Sequence, residues 1–373
     1  MIDLPPKKPG AARVRVWDLP TRLFHWCLVG LVSFALVTGL LAPKPWVGAH
    51  MLAGYGIAGL LIFRAVWARY GSQYSRLASF AYGPREAIRH MRGLLKLRSA
   101  HYLGHNPSGA MMIFALIGLL GLLVVTGFLV QGGLEKQGPL ASFLTYDAGL
   151  FTRHIHKLLA LLLLCLIGLH LAGVFAGSRL LQEPLIGPMI TGWKPGIAPA
   201  PPSPARPLPA LLWLGILAAV IGGVVPELSR RPPLGLPPMP ANPTMIAECG
   251  ACHSPFHPSL LPRASWALLM AGLGDHFGED ASLPAAERDG IAAYLSRYAA
   301  EAWDTQAAHL FAVVSPDDPI SITATPGWQR IHRRLDPASF RLRSVGSKIN
   351  CSACHKDAAT GRFDPQAIAI PQG

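Results

Sequence analysis

The sequence predicts an all-α protein in two parts. The first is a four-helix transmembrane bundle with a fifth transmembrane helix as anchor, and the second is a small, mostly helical, loop-rich domain. Three observations carry that prediction. Hydrophobic residues make up 51% of the 373 and charged residues only 14%, too apolar for an ordinary soluble chain. Five apolar runs have the length a membrane span requires. The last third holds two Cys-X-X-Cys-His pentapeptides, Cys249-Gly-Ala-Cys252-His253 and Cys351-Ser-Ala-Cys354-His355.

The spans are expected at 23–42, 46–67, 109–130, 154–177 and 209–226. The first is too long for a signal-peptide core and is not followed by a cleavage site and a soluble domain, so it is expected to stay in the membrane. Basic residues set the orientation. The N-terminal arm carries Lys7, Lys8, Arg13, Arg15 and Arg22, and the connection after span two carries Arg69, Arg76, Arg85, Arg89, Arg92, Lys96 and Arg98. The alternate connections are short or nearly uncharged, holding Lys44 on one and Glu135 and Lys136 on the other. The positive-inside rule therefore puts the N terminus in the cytoplasm, and five crossings put the C-terminal domain in the periplasm of a bacterial inner membrane. Residues 1–208 carry 20 Lys and Arg against 6 Asp and Glu, while 209–373 carry 13 against 14. The +13 formal charge thus belongs to the membrane half and does not point to nucleic acid.

Each pentapeptide is the attachment signature of a c-type haem: two thiols form thioethers with the porphyrin, and the adjacent histidine coordinates iron from one face. A zinc site would need four ligands close together, and the two Cys pairs are about a hundred residues apart. The two remaining cysteines, Cys27 and Cys165, lie in apolar runs and read as small buried hydrophobes.

Ionisable residues at membrane depth mark function. His156 and His170 in span four are fourteen residues apart, so they share a helix face and sit about 21 Å from each other along it. One helix can then serve two haems, one near each membrane surface. By depth, His25 in span one faces His170, and His50 in span two faces His156. That gives two b haems, each ligated by two histidines. His154 falls on the opposite face and reads as an interfacial polar residue. Arg64, fourteen residues after His50, lies at the depth of the inner haem, where a propionate would balance it; the alternative is that it snorkels to the interface.

The runs Arg15-Val-Trp-Asp-Leu-Pro-Thr-Arg-Leu-Phe-His25-Trp, His101-Tyr-Leu-Gly-His105-Asn-Pro-Ser-Gly109 and Met189-Ile-Thr-Gly-Trp-Lys194 resemble the prokaryotic cytochrome b561 family, which includes the cytochrome b subunits of nickel-iron hydrogenases. The resemblance covers about residues 12–195. It implies a four-helix dihaem core with ligands on spans one, two and four, and electron exchange with membrane quinone. His101 and His105 belong to its motif but lie in the cytoplasmic connection, as loop-ordering or propionate contacts.

The b561-like part is taken as 1–195. Residues 196–243 hold two Pro-rich linkers (195–209 and 230–243) around the fifth span, and 244–373 form the C-terminal domain. There the first pentapeptide is followed by Leu260-Leu-Pro-Arg-Ala-Ser-Trp266, Leu273-Gly-Asp-His276-Phe and Ile291-Ala-Ala-Tyr-Leu295, and the second by Phe363-Asp-Pro-Gln. This resembles the dihaem cytochrome c family over residues 245–371. It implies two covalent haems with bis-histidine ligation, His276 being distal for the first and His332 for the second. Met270 and His257 are rivals at the first haem and His309 at either; where the family carries a tyrosine, this chain has His257.

The expected function is transmembrane electron transfer between quinol or quinone and a periplasmic redox partner, such as a small haem protein, in either direction. A hydrogenase-type docking subunit fits the same sequence. Two readings from other classes are an oxidoreductase passing electrons from a periplasmic reductant such as superoxide to quinone, and a haem-based redox or gas sensor.

Overall fold

The computed structural model describes residues 13–95, 102–180, 185–195 and 203–371. His101 and residues 196–202 of the first linker lie outside the described residues. Strand β1 (Arg13–Arg15) leads into α1 (Leu19–Leu40). Asp18 caps α1 by accepting the Thr21 amide at 2.9 Å, and Pro20 sits in the first turn, where a missing N–H costs nothing. A 3-10 turn at Lys44–Trp46 precedes α2 (Val47–Tyr70), and a short α3 (Pro84–Leu95) precedes α4 (Pro107–Gly133). Then come α5 (Tyr146–Leu180), α6 (Ile186–Thr191), β2 (Trp193–Pro195) and α7 (Pro207–Ser229).

Each of the five expected spans coincides, apart from a residue or two at the ends of the first two, with a helix long and apolar enough to cross a membrane: α1, α2, α4, α5 and α7. The protein is a multi-pass membrane protein. The helix holding span four is longer than the apolar run suggested, because it begins at Tyr146, in a mixed segment with Asp147, Thr152 and Arg153, before the hydropathy rises. Two short strands were not expected: β1 pairs antiparallel with β2, Val14 opposite Lys194. They join two of the segments on which the b561 resemblance rested.

The described residues form two compact units. The first comprises those within 1–42, 49–127 and 154–224. Its core is built from Val32 of α1, Ile57 of α2, Leu119 and Leu120 of α4 and Leu163 of α5, so four helices share one interior. Their other faces are also apolar, with Leu23, Leu122, Leu161 and Leu169 exposed, as a helix solvated by lipid requires. Cys27 and Cys165 are on such exposed faces and are not in the core as expected. α7 buries only Ala210.

At one end of the bundle Asp18 gathers further donors. Its Oδ2 accepts from Trp67 Nε1 at 3.0 Å, the Ser72 amide at 3.2 Å and Ser75 Oγ at 3.1 Å. Burial alone would raise its pKa; the bonds from Thr21 and Ser72 outweigh that and hold the carboxylate below its ordinary value.

The second unit comprises the described residues within 43–48, 128–153 and 225–373. Its helices are short: α8 (Pro243–Cys249), α9 (Arg263–Ala271), α10 (Ala285–Arg297), α11 (Gln306–Phe311), α12 (Pro326–His332) and α13 (Cys351–Cys354). Leu260, Leu261, Trp266, Met270, Ile291, Leu295, Phe311 and Trp328 form its core.

Candidate haem sites

The eight histidines expected to bind iron are all half-buried. Ring centroids of His50 and His156 are 6.1 Å apart, those of His253 and His276 6.3 Å, and those of His332 and His355 6.2 Å. His25 and His170 lie within electrostatic reach of each other. Two imidazoles on opposite sides of one metal, each bond about 2 Å long, have centroids about 6 Å apart once the ring half-widths are added. The three measured spacings fit one iron apiece.

The hydrogen bonds point the same way. A ligating imidazole usually donates its other ring N–H to a carbonyl or similar acceptor, which fixes tautomer and orientation. His50 Nδ1 lies 3.0 Å from the Ala35 carbonyl, His253 Nδ1 2.9 Å from that of Ser254, and His332 Nδ1 2.9 Å from that of Trp328. His156 Nδ1 lies 2.9 Å from Thr126 Oγ1, which itself donates to the Leu122 carbonyl at 2.8 Å and so accepts from the ring. In all four, Nε2 is left for another partner. Burial lowers the pKa of His276, His332 and His355, and the neighbouring histidine adds to it for His276 and His355. Neutral imidazole is the form that binds metal.

Two positions missed from the sequence shape the His50–His156 site. Thr38-Gly39 on α1 and Thr126-Gly127 on α4 repeat the tripeptide Val-Thr-Gly. Thr38 Oγ1 is 3.3 Å from His50 Nδ1 and Thr126 Oγ1 2.9 Å from His156 Nδ1. A Cβ at Gly39 would lie 2.8 Å from the His50 ring, so only glycine admits the imidazole there. The signal was available as a polar residue plus glycine, repeated near the ends of two apolar runs.

Arg64 is 6% exposed and donates from Nη1 to the Ser75 carbonyl at 3.0 Å. It therefore does not snorkel to open solvent. His105 is sandwiched between Trp17 and Phe80 at 4.4 and 4.6 Å, and burial, then the charges of Arg64 and Lys194, push its pKa to about 3. It orders the polar end of the bundle as a neutral ring. His154 is exposed.

The rivals for the distal positions have other partners. Met270 is buried in the core, His257 binds Ser259 Oγ at 2.8 Å, and His309 binds Asp304 at 2.8 Å. Each cysteine pair precedes its histidine: Cys249 ends α8 with Cys252 in the turn after it, and Cys351 and Cys354 bound α13; Cys252 is exposed and the other three are half-buried.

Histidine pairs inside a membrane bundle, in one chain with two thioether motifs, have the make-up of a membrane-bound cytochrome. Comparison with known proteins supplies the family. The family described as prokaryotic cytochrome b561 matches residues 16–192, and dihaem cytochrome c matches 245–363. A probable Ni/Fe-hydrogenase B-type cytochrome subunit of Bradyrhizobium diazoefficiens is 28% identical over 155 residues, covering 35% of this chain and 61% of that protein. Its Ni/Fe-hydrogenase 1 counterpart in Escherichia coli K12 is 27% identical over 152 residues, covering 34% and 64%. The chain thus spans about six-tenths of the length of these curated relatives. Among solved structures, a dihaem cytochrome c from Rhodobacter sphaeroides is 39% identical, covering 34% of this chain and 98% of that one with a TM-score of 0.30. The dihaem cytochrome c of Shewanella baltica OS155 is 32% identical, covering 36% and 95%, also with a TM-score of 0.30. The chain belongs to the prokaryotic cytochrome b561 family through its membrane part and to the dihaem cytochrome c family through its C-terminal part. Membership implies haem b in the first and haem c in the second.

Proposed function

We propose that the chain carries electrons across a bacterial inner membrane, between the quinone pool and a soluble periplasmic redox partner, using two b haems and two c haems. The observation that carries this reading is the common spacing of the histidine pairs, with the second ring nitrogen tied back in four of the rings. His25 with His170 and His50 with His156 would hold the b haems. Cys249, Cys252 and His253 with His276, and Cys351, Cys354 and His355 with His332, would hold the c haems. Bound haem supplies one-electron exchange at a six-coordinate iron, whose potential the axial ligands and their hydrogen bonds tune.

The residues supply position and charge. α5 carries one ligand for each b site, so its rigidity fixes the spacing along the membrane. The Arg64 guanidinium retains donors beyond its bond to Ser75 and supplies a buried positive charge for a haem propionate. The basic connections keep the N terminus and the α2–α4 segment cytoplasmic, which leaves the thioether motifs on the periplasmic side, where covalent haem attachment takes place in bacteria.

Oxidation of one quinol releases two electrons and two protons, so it can reduce two haems in turn. In membranes containing the protein, quinol is expected to reduce both the b and the c absorbance bands. A c band that stays oxidised while the b band reduces would refute the b-to-c connection. An alkaline-pyridine haemochrome spectrum should give two b and two c haems per chain.

A further inference from the structure

Away from every histidine pair, the Asp304 carboxylate gathers three donors. Oδ2 accepts from Lys136 Nζ at 2.7 Å and from the Tyr146 amide at 2.8 Å, and Oδ1 lies 2.8 Å from His309 Nε2. Tyr146 is the first residue of α5, so Asp304 supplies that membrane helix with an N-terminal carboxylate from 158 residues away. The His309 ring stacks on Tyr146 at 4.5 Å. Lys136 is 3% exposed and donates also to the Leu144 carbonyl at 2.9 Å. The pair is buried on the lysine side and half-buried on the aspartate side; desolvation offsets much of its attraction, but removing one partner leaves the other charge uncompensated.

A second set of contacts lies along the tail of the second thioether segment. Gln137 Nε2 donates to Asp364 at 2.5 Å, and Arg362 Nη2 to the Glu135 carbonyl at 3.1 Å. The Gln366 side chain packs on Gly48, near the start of α2, so closely that a Cβ there would make it move. Between these residues Phe363 meets the His355 ring edge-on at 5.1 Å, and His355 bridges to Ile368. The two sets therefore run through 304–309 and 362–366. His253 and His276 belong to neither.

We propose that the α4–α5 connection, at Glu135–Gln137 and anchored by the Lys136–Asp304 pair, is an internal docking site for the second thioether segment, which makes the second c haem the one that exchanges electrons with the bundle and leaves the first for the soluble partner. The docking stands on these contacts alone; the electron route rests on the function proposed above. Chain order agrees with it, since the same connection follows Thr126 and precedes His156. Lys136 reads the Asp304 carboxylate, Gln137 the Asp364 carboxylate, and the Glu135 carbonyl receives Arg362, so three successive residues each engage the C-terminal domain.

Two measurements on the full-length, haem-loaded protein test this. In Lys136→Met, amide exchange in 134–146 and 357–369 should speed up by about tenfold or more while α9 and α10 keep their protection and c-haem content is unchanged. Unchanged exchange in those two segments would overturn the docking. For the route, the wild-type protein freeze-quenched during reduction by quinol should lose first the strongly anisotropic ferric EPR signal given by near-perpendicular axial rings, since His332 and His355 are inclined by 77° and His253 and His276 by only 22°. Earlier loss of the other c-haem signal would overturn the route. If the wild-type c bands do not respond to quinol at all, the function reading fails, and the exchange result still decides the docking.

Discussion

The bundle and the C-terminal domain solve one problem in different ways. In the bundle each histidine pair is divided between long helices: α1 with α5, and α2 with α5. The rings are set by helix spacing, by the glycine notch at Gly39 and by threonine hydroxyls. In the C-terminal domain the proposed proximal histidine follows its cysteines directly, and the proposed distal one sits on or beside a short element. His276 lies just after a 3-10 turn and before Phe277 at φ 58°, and His332 is the last residue of the seven-residue α12. The difference follows from the mode of attachment. A haem held only by coordination needs both ligands preorganised, whereas a thioether-linked haem stays in place while a less rigid element supplies the sixth ligand.

That contrast predicts opposite outcomes for the same substitution. His156→Ala removes half the attachment of a non-covalent haem, and b-haem content should fall from two per chain to one with c content unchanged. His170→Ala should likewise lose b haem and leave c haem intact. His276→Ala should keep both c haems attached but open one iron, giving a high-spin fraction and carbon monoxide binding that the wild type lacks. Haemochrome ratios and difference spectra with the gas check both. If His276→Ala sheds its haem, or His156→Ala keeps both b haems, the attachment argument is wrong.

The same contrast accounts for what was legible in the sequence. Helical spacing brought out His156 and His170, because fourteen residues is a near-integral number of turns, and the pentapeptides were local by chemistry. The pairing of His276 with His253 and of His332 with His355 came from resemblance, since no periodicity links either residue to a histidine about twenty residues away across turns. Cys27 and Cys165 were misplaced because lipid-facing and core-facing positions of a membrane helix are equally apolar, so composition does not separate them. The β1–β2 pair is three residues a strand, too short for alternation to register. Asp304 and Lys136 are 168 residues apart, and nothing local in either marks the other.

A smaller effect sharpens the comparison within the bundle. Thr126 is a single hydroxyl that orients His156, and removing such a partner lowers metal-site affinity by about 10- to 100-fold. Thr126→Val, close in shape, should therefore weaken retention of one b haem, seen as faster loss to a haem-scavenging apoprotein, without changing its absorbance class. His332 in the C-terminal domain is oriented by the backbone carbonyl of Trp328, which no side-chain change removes. Equal retention in Thr126→Val and wild type would mean helix packing alone holds the ring.

The smallest expected effect concerns His105, which separates structure from haem binding at the polar end of the bundle. Packed between Trp17 and Phe80, it has a folded pKa of about 3, against about 6.5 for an exposed histidine. The sign follows from proton uptake. As pH falls below about 6.5 the unfolded chain binds a proton that the folded chain refuses, so stability is full above that pH and declines as pH drops toward 3. The decline from this one ring is at most about 1.4 kcal/mol per pH unit. His105→Phe keeps an aromatic ring between the same neighbours and removes the titration. The difference in thermal midpoint between variant and wild type should therefore be constant above pH 7 and shift in favour of the variant as pH falls from 6.5 to 4.5. Reading the difference between the two proteins cancels the other buried histidines, which titrate in both. A difference that does not change with pH would mean that His105 is protonated in the folded protein, and the ring would then belong to a charged contact rather than to the packing of the loop.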